Sequence, residues 1–212
     1  MDLRVQHAAV TEIDTPLLVV SVFEGSAQLS GDTASVDNAL GGQISQLIAD
    51  GEISGEPATV TVIHTSGGSL KARRVAVVGL GKPAEFEVEN LRVAAALAAR
   101  KARDLKLDSF ATVVHAASGN GLSFEDAARA VMESSILALY RYEQFKEATK
   151  SKHEVKSMTV VASEADRQQL DALAELTRLT CAAVPCTSII RRSSVSRSTV
   201  RPWPTSQSRT AL

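Results

Sequence analysis

The sequence predicts an α/β fold over residues 1–183, in which a mixed β-sheet is flanked by helices. One observation is the continuous apolar run from Val75 to Val78, which favours a strand buried on both faces and ends at Gly79 and Gly81. The other is the order of patterns along the chain, because strand-like and helix-like segments alternate with one hairpin between them. A mixed sheet with helices on its faces is the simplest arrangement that satisfies both observations.

Two strands are predicted before the first helix. Leu3 and Val5 alternate with polar neighbours, which is typical of a short edge strand, and residues 17–23 form a stronger apolar run between Pro16 and Gly25. We expect these two strands to be neighbours in the sheet.

A helix and a hairpin follow a loop rich in Gly, Ser and Asp. Apolar residues at helical spacing predict one amphipathic helix that ends near Gly51, and they are Val36, Leu40, Ile44, Leu47 and Ile48. Residues 58–64 then alternate Thr with Val or Ile, and a short Gly- and Ser-rich link joins them to the strand that begins near Arg73. The short link predicts an antiparallel pair.

The third helix of the chain has a recognisable start. An alanine-rich helix over residues 86–105 and a strand over residues 110–115 are predicted before it. Ser123 and Asp126 then form the Ser-x-x-Asp pattern that caps a helix, which is predicted to run to about Lys146.

The predicted fold ends with one more strand and one more helix. Residues 147–156 are mostly charged or polar and predict a solvated connector, and residues 155–161 predict the last strand. Ser163 and Asp166 repeat the capping pattern before a helix whose apolar positions are Leu170, Leu173, Leu176 and Leu179.

The C-terminal stretch differs from the remainder of the chain. Six arginines and no acidic residue follow Glu175, so the other 17 basic residues face all 24 acidic ones in residues 1–175, a net charge of −7. The last 30 residues contain seven serines, four threonines, three prolines and the only tryptophan, which predicts disorder over residues 184–212. A shifted reading frame would also produce such a stretch, and this remains a hypothesis.

Several function classes are disfavoured by composition. Cys181 and Cys186 are the only cysteines, their spacing is not Cys-x-x-Cys and no histidine is near them, which disfavours a disulfide framework or a zinc site. The N terminus lacks the pattern of a signal peptide, and no apolar run approaches the length of a membrane span. We therefore expect a cytoplasmic protein with no membrane partner, for which nucleic acid is an unfavoured partner because the body is acidic.

A glycine motif follows the central strand. Gly79-Leu80-Gly81-Lys82-Pro83-Ala84 matches Gly-x-Gly-x-x-Ala, the pattern that lets a backbone approach a pyrophosphate. Hairpin pairing of the preceding strand does not suit the first strand of a βαβ unit, and no strand that ends in an acidic residue follows at the expected distance. The interpretation we favour is that the glycines allow a tight exit from the sheet.

Other residues of catalytic type have structural interpretations. His64, His115 and Lys82 each follow a predicted strand and could converge, although no nucleophile or carboxylate accompanies them. His7 and His153 suggest no metal site. Two groups of acids, Glu85, Glu87 and Glu89, and Glu164 with Asp166, are interpreted as first-turn acids that favour the helix dipole.

Two aromatic features could contact nucleic acid. Residues 140–146 mix tyrosines and a phenylalanine with bases, and Trp203 lies in the basic tail. The favoured interpretations are that Tyr142 and Phe145 close a helix end on the core and that the tail is solvated chain.

Three segments together resemble the N-terminal domain of the leucyl aminopeptidase (cytosol aminopeptidase) family. They are residues 74–82 (Arg-Val-Ala-Val-Val-Gly-Leu-Gly-Lys), the helix start Glu89-Asn90-Leu91-Arg92 and residues 138–146 (Ala-Leu-Tyr-Arg-Tyr-Glu-Gln-Phe-Lys). Their order and spacing agree over roughly residues 15–180. The resemblance implies a macro-type α/β fold for this region.

The resemblance also implies a parent function. Members of the family are cytoplasmic, hexameric metallo-exopeptidases that release N-terminal residues with two divalent metals, usually zinc or manganese, in a separate C-terminal domain. The metal-binding segments of that domain do not occur in this sequence, so the resemblance assigns no catalytic, cofactor-binding or metal-binding residue here. We expect a non-catalytic domain, truncated before the catalytic one and inactive alone, with full-length aminopeptidase subunits as partners.

Alternative functions remain open. The chain could be a binding or regulatory module. It could modulate aminopeptidase assembly, bind nucleic acid through its tail, or bind a macro-like nucleotide ligand near residues 79–82.

Overall fold

A six-stranded mixed sheet is the centre of the part of the chain that the structure describes. The structure is a computed structural model, and it describes residues 1–26, 28–65, 68–115, 122–140, 153–162 and 168–181. The strands are β1 (Asp2–His7), β2 (Leu18–Val22), β3 (Val60–His64), β4 (Arg74–Gly79), β5 (Ser109–Val113) and β6 (Ser157–Ala162). They lie in the order β1-β6-β5-β2-β4-β3.

Parallel pairing dominates this sheet. β3 and β4 form the antiparallel hairpin that the sequence predicts, with His64 opposite Arg74, and the other neighbouring strands are parallel. β1 is an edge strand, as predicted, but its expected position beside β2 is wrong because β1 pairs with β6. The carboxyl ends of β1, β6, β5, β2 and β4 therefore meet at one edge of the sheet, which we call the carboxyl edge.

Five α-helices cover the two faces among the described residues. They are α1 (Gly31–Ala39), α2 (Gln43–Ala49), α3 (Val88–Asp104), α4 (Phe124–Leu139) and α5 (residues 168–181). One core joins buried residues of α3, α4 and α5 to one face of the sheet, and a second core joins α1 and α2 to the other face.

The central strands are buried on both faces, as their sequence predicts. Val75 and Val77 of β4 belong to the core under α1 and α2, whereas Ala76 and Val78 belong to the core under α3 and α4. Because successive side chains of a strand point to opposite faces, a continuous apolar run serves both cores at once.

The predicted first helix is two helices. α1 ends at Ala39 and α2 begins at Gln43, and between them Gly41 and Gly42 have φ angles of 69° and 84°. Backbone in this left-handed region ends a helix, and glycine adopts it without strain. Helical spacing continues across the break because both helices pack on the same face of the sheet.

The third predicted helix is shorter than expected. α4 starts at the predicted cap, where the backbone N–H of Asp126 donates to Ser123 Oγ at 3.1 Å, but it ends at Leu139 rather than near Lys146. Tyr140 is already extended, at φ −61° and ψ 132°. Residues 141–146, the predicted cap at Ser163 and Asp166, and the predicted tail over residues 184–212 lie outside the described residues, so the domain boundary at residue 183 stays a prediction.

Candidate ligand-binding cavity

A cavity of about 750 Å³ opens at the carboxyl edge of the sheet. Its walls come from the ends of four parallel strands, β1, β6, β5 and β2, and from the loop that joins β2 to α1. Ligands of α/β sheets commonly bind outside the carboxyl ends of the strands, where the connecting loops diverge. The cavity is therefore the candidate functional site of the described structure.

The loop between β2 and α1 forms the polar rim of the cavity. Ser26, Gln28, Ser30 and Asp32 line it, and Ser30 precedes α1 without making a side-chain cap to the helix. Thr33 fixes the helix to the sheet, because its hydroxyl donates to the carbonyl oxygen of Ser21 in β2 at 2.9 Å. This anchor holds the first turn of α1 at the mouth of the cavity.

Asp32 is the only Asp or Glu among the described lining residues. Its side chain lies at the mouth, yet the surrounding protein removes enough water to raise its pKa above the ordinary 3.8, and desolvation is the cause. It makes no hydrogen bond or ion pair with another described residue. The rim thus carries a carboxylate that lacks a cationic partner in this part of the chain.

His115 lies in the wall of the cavity two residues beyond the end of β5. It is 1% exposed, and its Nε2 is 3.0 Å from Thr112 Oγ1. The Thr112 hydroxyl donates to the carbonyl oxygen of Val113 at 3.2 Å, so its oxygen can accept a hydrogen from Nε2. This assigns the proton to Nε2 and leaves Nδ1 as an acceptor with no described hydrogen-bond partner.

Burial also sets the charge of His115. Desolvation lowers the pKa of the imidazole from 6.5 to about 4, because a charged ring would lose its hydration in the interior. His115 is therefore neutral at physiological pH and acts as a hydrogen-bonding group rather than as a cation.

A second histidine, His7, ends β1 and also lines the cavity. Its side chain is 10% exposed, and Nε2 lies 3.9 Å from Asp171 Oδ1 of α5, too far for a hydrogen bond. Neither ring nitrogen has a hydrogen-bond partner among the described residues. His7 thus brings to the cavity wall a second imidazole that makes no hydrogen bond with a described residue.

The predicted glycine motif lies beyond β4, and its backbone donors are already in use. The N–H groups of Gly79, Leu80 and Gly81 donate to the carbonyl oxygens of Thr59, Val22 and Gly55 at 3.1, 2.9 and 2.9 Å. A phosphate cradle needs free N–H groups. The geometry agrees with the interpretation of the glycines as a tight exit from the sheet.

The structure does not bring His64, His115 and Lys82 together, which was the alternative to their structural interpretation. Because β3 is antiparallel to β4, His64 lies beside Arg74 at the edge opposite the carboxyl edge. Lys82 and His115 share the carboxyl edge, but Lys82 is not a residue of the cavity and forms a 3.8 Å ion pair with Glu85.

The acids near α3 act on the helix start. Glu87 precedes α3, and its backbone N–H donates to Asn90 Oδ1 at 2.9 Å in a capping box. Glu89 lies in the first turn, where a negative charge favours the helix dipole, as predicted. Glu164, Asp166, Tyr142, Phe145 and Trp203 lie outside the described residues.

The described residues do not fit a divalent metal. Within the described ranges, no three His, Cys, Asp or Glu side chains come close enough to hold an ion. His153 Nε2 is 3.4 Å from Asp108 Oδ1, but Lys156 Nζ already binds the other carboxylate oxygen at 2.9 Å. The hydrogen bond from Lys156 holds the pKa of Asp108 below its usual value, so this carboxylate already has a cationic partner.

The cavity was not located by sequence reasoning. The local signal is the polar run after β2, from Ser26 to Asp32, which predicts a loop. Its partners, His7 and His115, are more than 100 residues apart in sequence, and only the parallel pairing of β1, β6 and β5 brings their strand ends to one edge.

This strand order, with a cavity at the carboxyl edge, defines a macrodomain-type α/β fold. A Trypanosoma brucei macrodomain solved in complex with ADP-ribose superposes with a TM-score of 0.63 over 80% of this chain and 68% of its own, at 13% identity. A mutant of tomato leucine aminopeptidase superposes with a TM-score of 0.64 over 87% of this chain and 36% of its own, at 18% identity. At these identities the likeness establishes the fold alone.

The sequence comparisons establish the family. The chain belongs to the cytosol aminopeptidase family, whose N-terminal domain model matches residues 19–149. A probable cytosol aminopeptidase of Geobacter sp. (strain M21) is 34% identical over 173 residues, which are 80% of this chain and 33% of that protein. The chain spans about a third of the length of the curated relatives that it matches first.

Proposed function

We propose that this chain acts as the non-catalytic N-terminal domain of a leucyl-aminopeptidase-type metallo-exopeptidase and has no peptidase activity by itself. The match of the family's N-terminal domain to residues 19–149 carries this proposal. Two-metal hydrolysis needs clustered ligands that hold the ions, activate water and polarise the scissile carbonyl. The described residues supply isolated pairs instead, such as His153 with Asp108.

Hydrolysis of leucine p-nitroanilide tests this proposal directly. The purified 212-residue chain is assayed with Mn²⁺ or Zn²⁺ and with EDTA, beside a full-length cytosol aminopeptidase as positive control. We expect no turnover above the metal-only blank. Metal-dependent turnover that follows the chain through purification and disappears with EDTA would overturn it.

We further propose full-length aminopeptidase subunits as the partners of the chain, in the cytoplasm that the relatives' name indicates. No helix in the described ranges is long and apolar enough to cross a membrane. Co-expression with a full-length subunit, followed by size-exclusion chromatography, should show the chain in the aminopeptidase peak.

Nucleic acid stays the unfavoured partner. Salt-dependent DNA binding that is lost on deletion of residues 184–212 would instead favour nucleic acid as the partner.

A second candidate function is supported by the cavity. Its volume of about 750 Å³ lies within the range of small-ligand sites, and its described lining does not include residues 79–82 of the glycine motif. Macrodomains with this fold have been solved with ADP and with ADP-ribose. The chain would then be a binding module, and titration calorimetry with ADP-ribose is the first test.

A further inference from the structure

The two edges of the described sheet are β1 and β3, and β1 is protected. The N–H of Asp2 donates to the carbonyl oxygen of Lys156 at 2.7 Å, so the backbone groups of the next residue, Leu3, point away from the sheet. The guanidinium of Arg178 in α5 donates to the carbonyl oxygen of Leu3. β1 also carries the charged side chains of Asp2 and Arg4. Charges and covered backbone groups keep an edge strand from pairing with another chain.

β3 lacks these protections. Its first four residues, Val60 to Ile63, include no charged residue, glycine or proline. Three of them are only half-buried, and no strand of the described ranges pairs with the outer side of β3. An uncharged edge strand of high β-propensity is the kind that pairs with a further strand.

The hydrogen bonds of the β3–β4 hairpin show which backbone groups point outward. The N–H of Thr65 donates to the carbonyl oxygen of Arg73 at 3.2 Å, so Thr65 faces the β4 side of the hairpin. In an antiparallel pair, every second residue faces the neighbouring strand and the residues between face away. The residues of β3 whose N–H and C=O groups face away from β4 are therefore Val60, Val62 and His64.

The two ends of β3 carry opposite charges. Residues 51–59, before the strand, contain Glu52 and Glu56 and no basic residue, whereas residues 65–74, after it, contain three basic residues and no acidic one. The ion pairs among the described residues involve none of these side chains. A second copy of the strand in antiparallel orientation would bring acidic ends beside basic ends, whereas a parallel copy would bring like charges together.

We propose that β3 pairs antiparallel with β3 of a second copy of this chain, about a two-fold axis at Val62, so that the two sheets become one. Val62 then lies opposite Val62 of the second copy, and Val60 lies opposite its His64. These are the positions at which facing residues exchange both backbone hydrogen bonds. The contact joins two copies of the chain, so it stands or fails independently of the peptidase and ligand-binding proposals.

The geometry also sets the size and strength of the assembly. A two-fold contact uses both β3 edges and leaves two protected β1 edges, so growth stops at a dimer. Stable interfaces bury roughly 1,200–2,000 Å² in total, and one pair of short strands buries less. We therefore expect a weak dimer with a dissociation constant of about 10–500 µM.

Sedimentation velocity of the 212-residue chain is the first test. Across concentrations from about 10 µM to about 1 mM, we expect a reversible shift from monomer to dimer. A chain that remains monomeric at the highest concentration overturns the proposal. Growth into ever larger assemblies overturns it also, because a two-fold contact is closed.

A proline at the axis tests the backbone pairing. Val62→Pro removes an N–H that β4 does not use, and proline is tolerated on the outer side of an edge strand. We expect dimerisation to weaken about tenfold or more. Val62→Ala is the matched control, since it shortens the side chain but keeps the N–H, and its dissociation constant should stay within about threefold of the wild-type value. Circular dichroism establishes that both variants are folded, and a wild-type dissociation constant for folded Val62→Pro contradicts the pairing.

Charge reversal tests the orientation. Glu56 and Arg73 are exposed at opposite ends of the hairpin. Glu56→Arg and Arg73→Glu should each weaken dimerisation about threefold to tenfold at low salt, because each brings like charges together. The double variant restores opposite charges and should recover most of the loss. A double variant weaker than either single one contradicts the antiparallel arrangement.

Cross-linking tests the register and needs no change in affinity. In a Cys181→Ser, Cys186→Ser background, Val62→Cys should form a disulfide-linked dimer on oxidation. Facing residues that exchange hydrogen bonds have Cα atoms about 5.5 Å apart, which suits a disulfide. Thr61→Cys is the control, because Thr61 would lie opposite Ile63 and its own copy would be beyond the roughly 7 Å limit. Equal cross-linking at both positions, or none at Val62→Cys in a chain that dimerises, places the contact elsewhere and overturns the proposal.

Discussion

The backbone N–H of Gly81 donates to the carbonyl oxygen of Gly55 at 2.9 Å and closes the exit of β4 against its own chain. Glu24 completes the closure, because its N–H donates to the carbonyl oxygen of Gly81 at 2.9 Å. The glycine pattern of this chain thus resembles a phosphate-binding loop, whereas its backbone groups hold two neighbouring loops in place.

Replacement of Gly79 by alanine is expected to destabilise the fold by about 2 kcal/mol or more, as overpacking does. A Cβ at this position would overlap the carbonyl oxygen of Glu56 and lie 2.8 Å from the carbonyl carbon of Gly55. These are backbone atoms, so relief requires movement of a loop. Urea unfolding followed by circular dichroism measures the change.

Lys82→Ala is the control for this prediction. The lysine is exposed and forms only a 3.8 Å surface ion pair with Glu85, so its loss should change stability by less than about 0.5 kcal/mol. Equal stability of Gly79→Ala and the wild-type chain would show that the loop moves freely and that the close packing has no cost.

Asp37 links the two helices that the sequence predicts as one. Its carboxylate accepts from the backbone N–H of Ile44 at 2.7 Å, from that of Ser45 at 3.2 Å and from the Ser45 hydroxyl. Asp37→Ala leaves the first donors of α2 without this acceptor, and we expect a loss of about 2–3 kcal/mol. Thermal unfolding measures it.

Asp50→Ala is the matched control for Asp37→Ala. Asp50 is exposed and accepts only from the Gln46 side chain, at 3.2 Å, so its removal should lower stability by less than about 0.5 kcal/mol. Comparable losses for the two variants would contradict the capping role of Asp37.

The sequence predicted most elements of the fold because burial leaves a strong local pattern. The run Val75–Val78 of β4 is apolar without interruption, the run of β2 contains one polar residue, Ser21, and both faces of these strands are covered. The Ser123 cap and the alanine-rich face of α3 are likewise local signals. Such features depend on neighbouring residues, so a single sequence reveals them.

Long-range pairing and the cavity could not be predicted in the same way. β1 pairs with β6, about 155 residues later, in the register Asp2 to Ser157, and no local pattern specifies that partner. The break between α1 and α2 was missed because the apolar spacing continues across Gly41 and Gly42. The cavity depends on both the strand order and the loops, so its residues could not be grouped from spacing alone.

His115 should make stability depend on pH in a defined window. Its folded pKa of about 4 lies below the 6.5 of an unfolded histidine, so between these values only the unfolded state binds the proton. Stability is therefore fully present above about pH 6.5 and falls as the pH drops toward 4, by roughly 3 kcal/mol. Urea unfolding at several pH values between 7 and 4 measures the fall.

His115→Gln isolates this contribution. Glutamine does not titrate, and its amide can still donate to Thr112, so the variant should lose less stability than the wild-type chain between pH 6.5 and pH 4. His64→Gln, at the opposite edge and exposed, is the control for removal of a histidine. If the stability of His115→Gln falls with pH as much as that of the wild-type chain, His115 has the same pKa in the folded and the unfolded state, and the prediction is contradicted.

The alanines of α3 are expected to tolerate no enlargement on their buried face. Ala94, Ala95, Ala98, Ala99 and Ala102 are each no more than 2% exposed, and they share one core with Ala127, Ala128 and Val131 of α4. Small side chains on both helices permit close packing, and added methylene groups have no space to enter. Ala99→Leu should therefore destabilise the domain by about 1–3 kcal/mol.

Ala96→Leu is the control for this prediction. Ala96 lies on the half-buried side of the same helix, and the substitution changes helix propensity in the same way, so it should destabilise the domain clearly less. Denaturant midpoints of the two variants measure the difference, and equal losses would mean that the helix, rather than its contact with α4, limits the side-chain size.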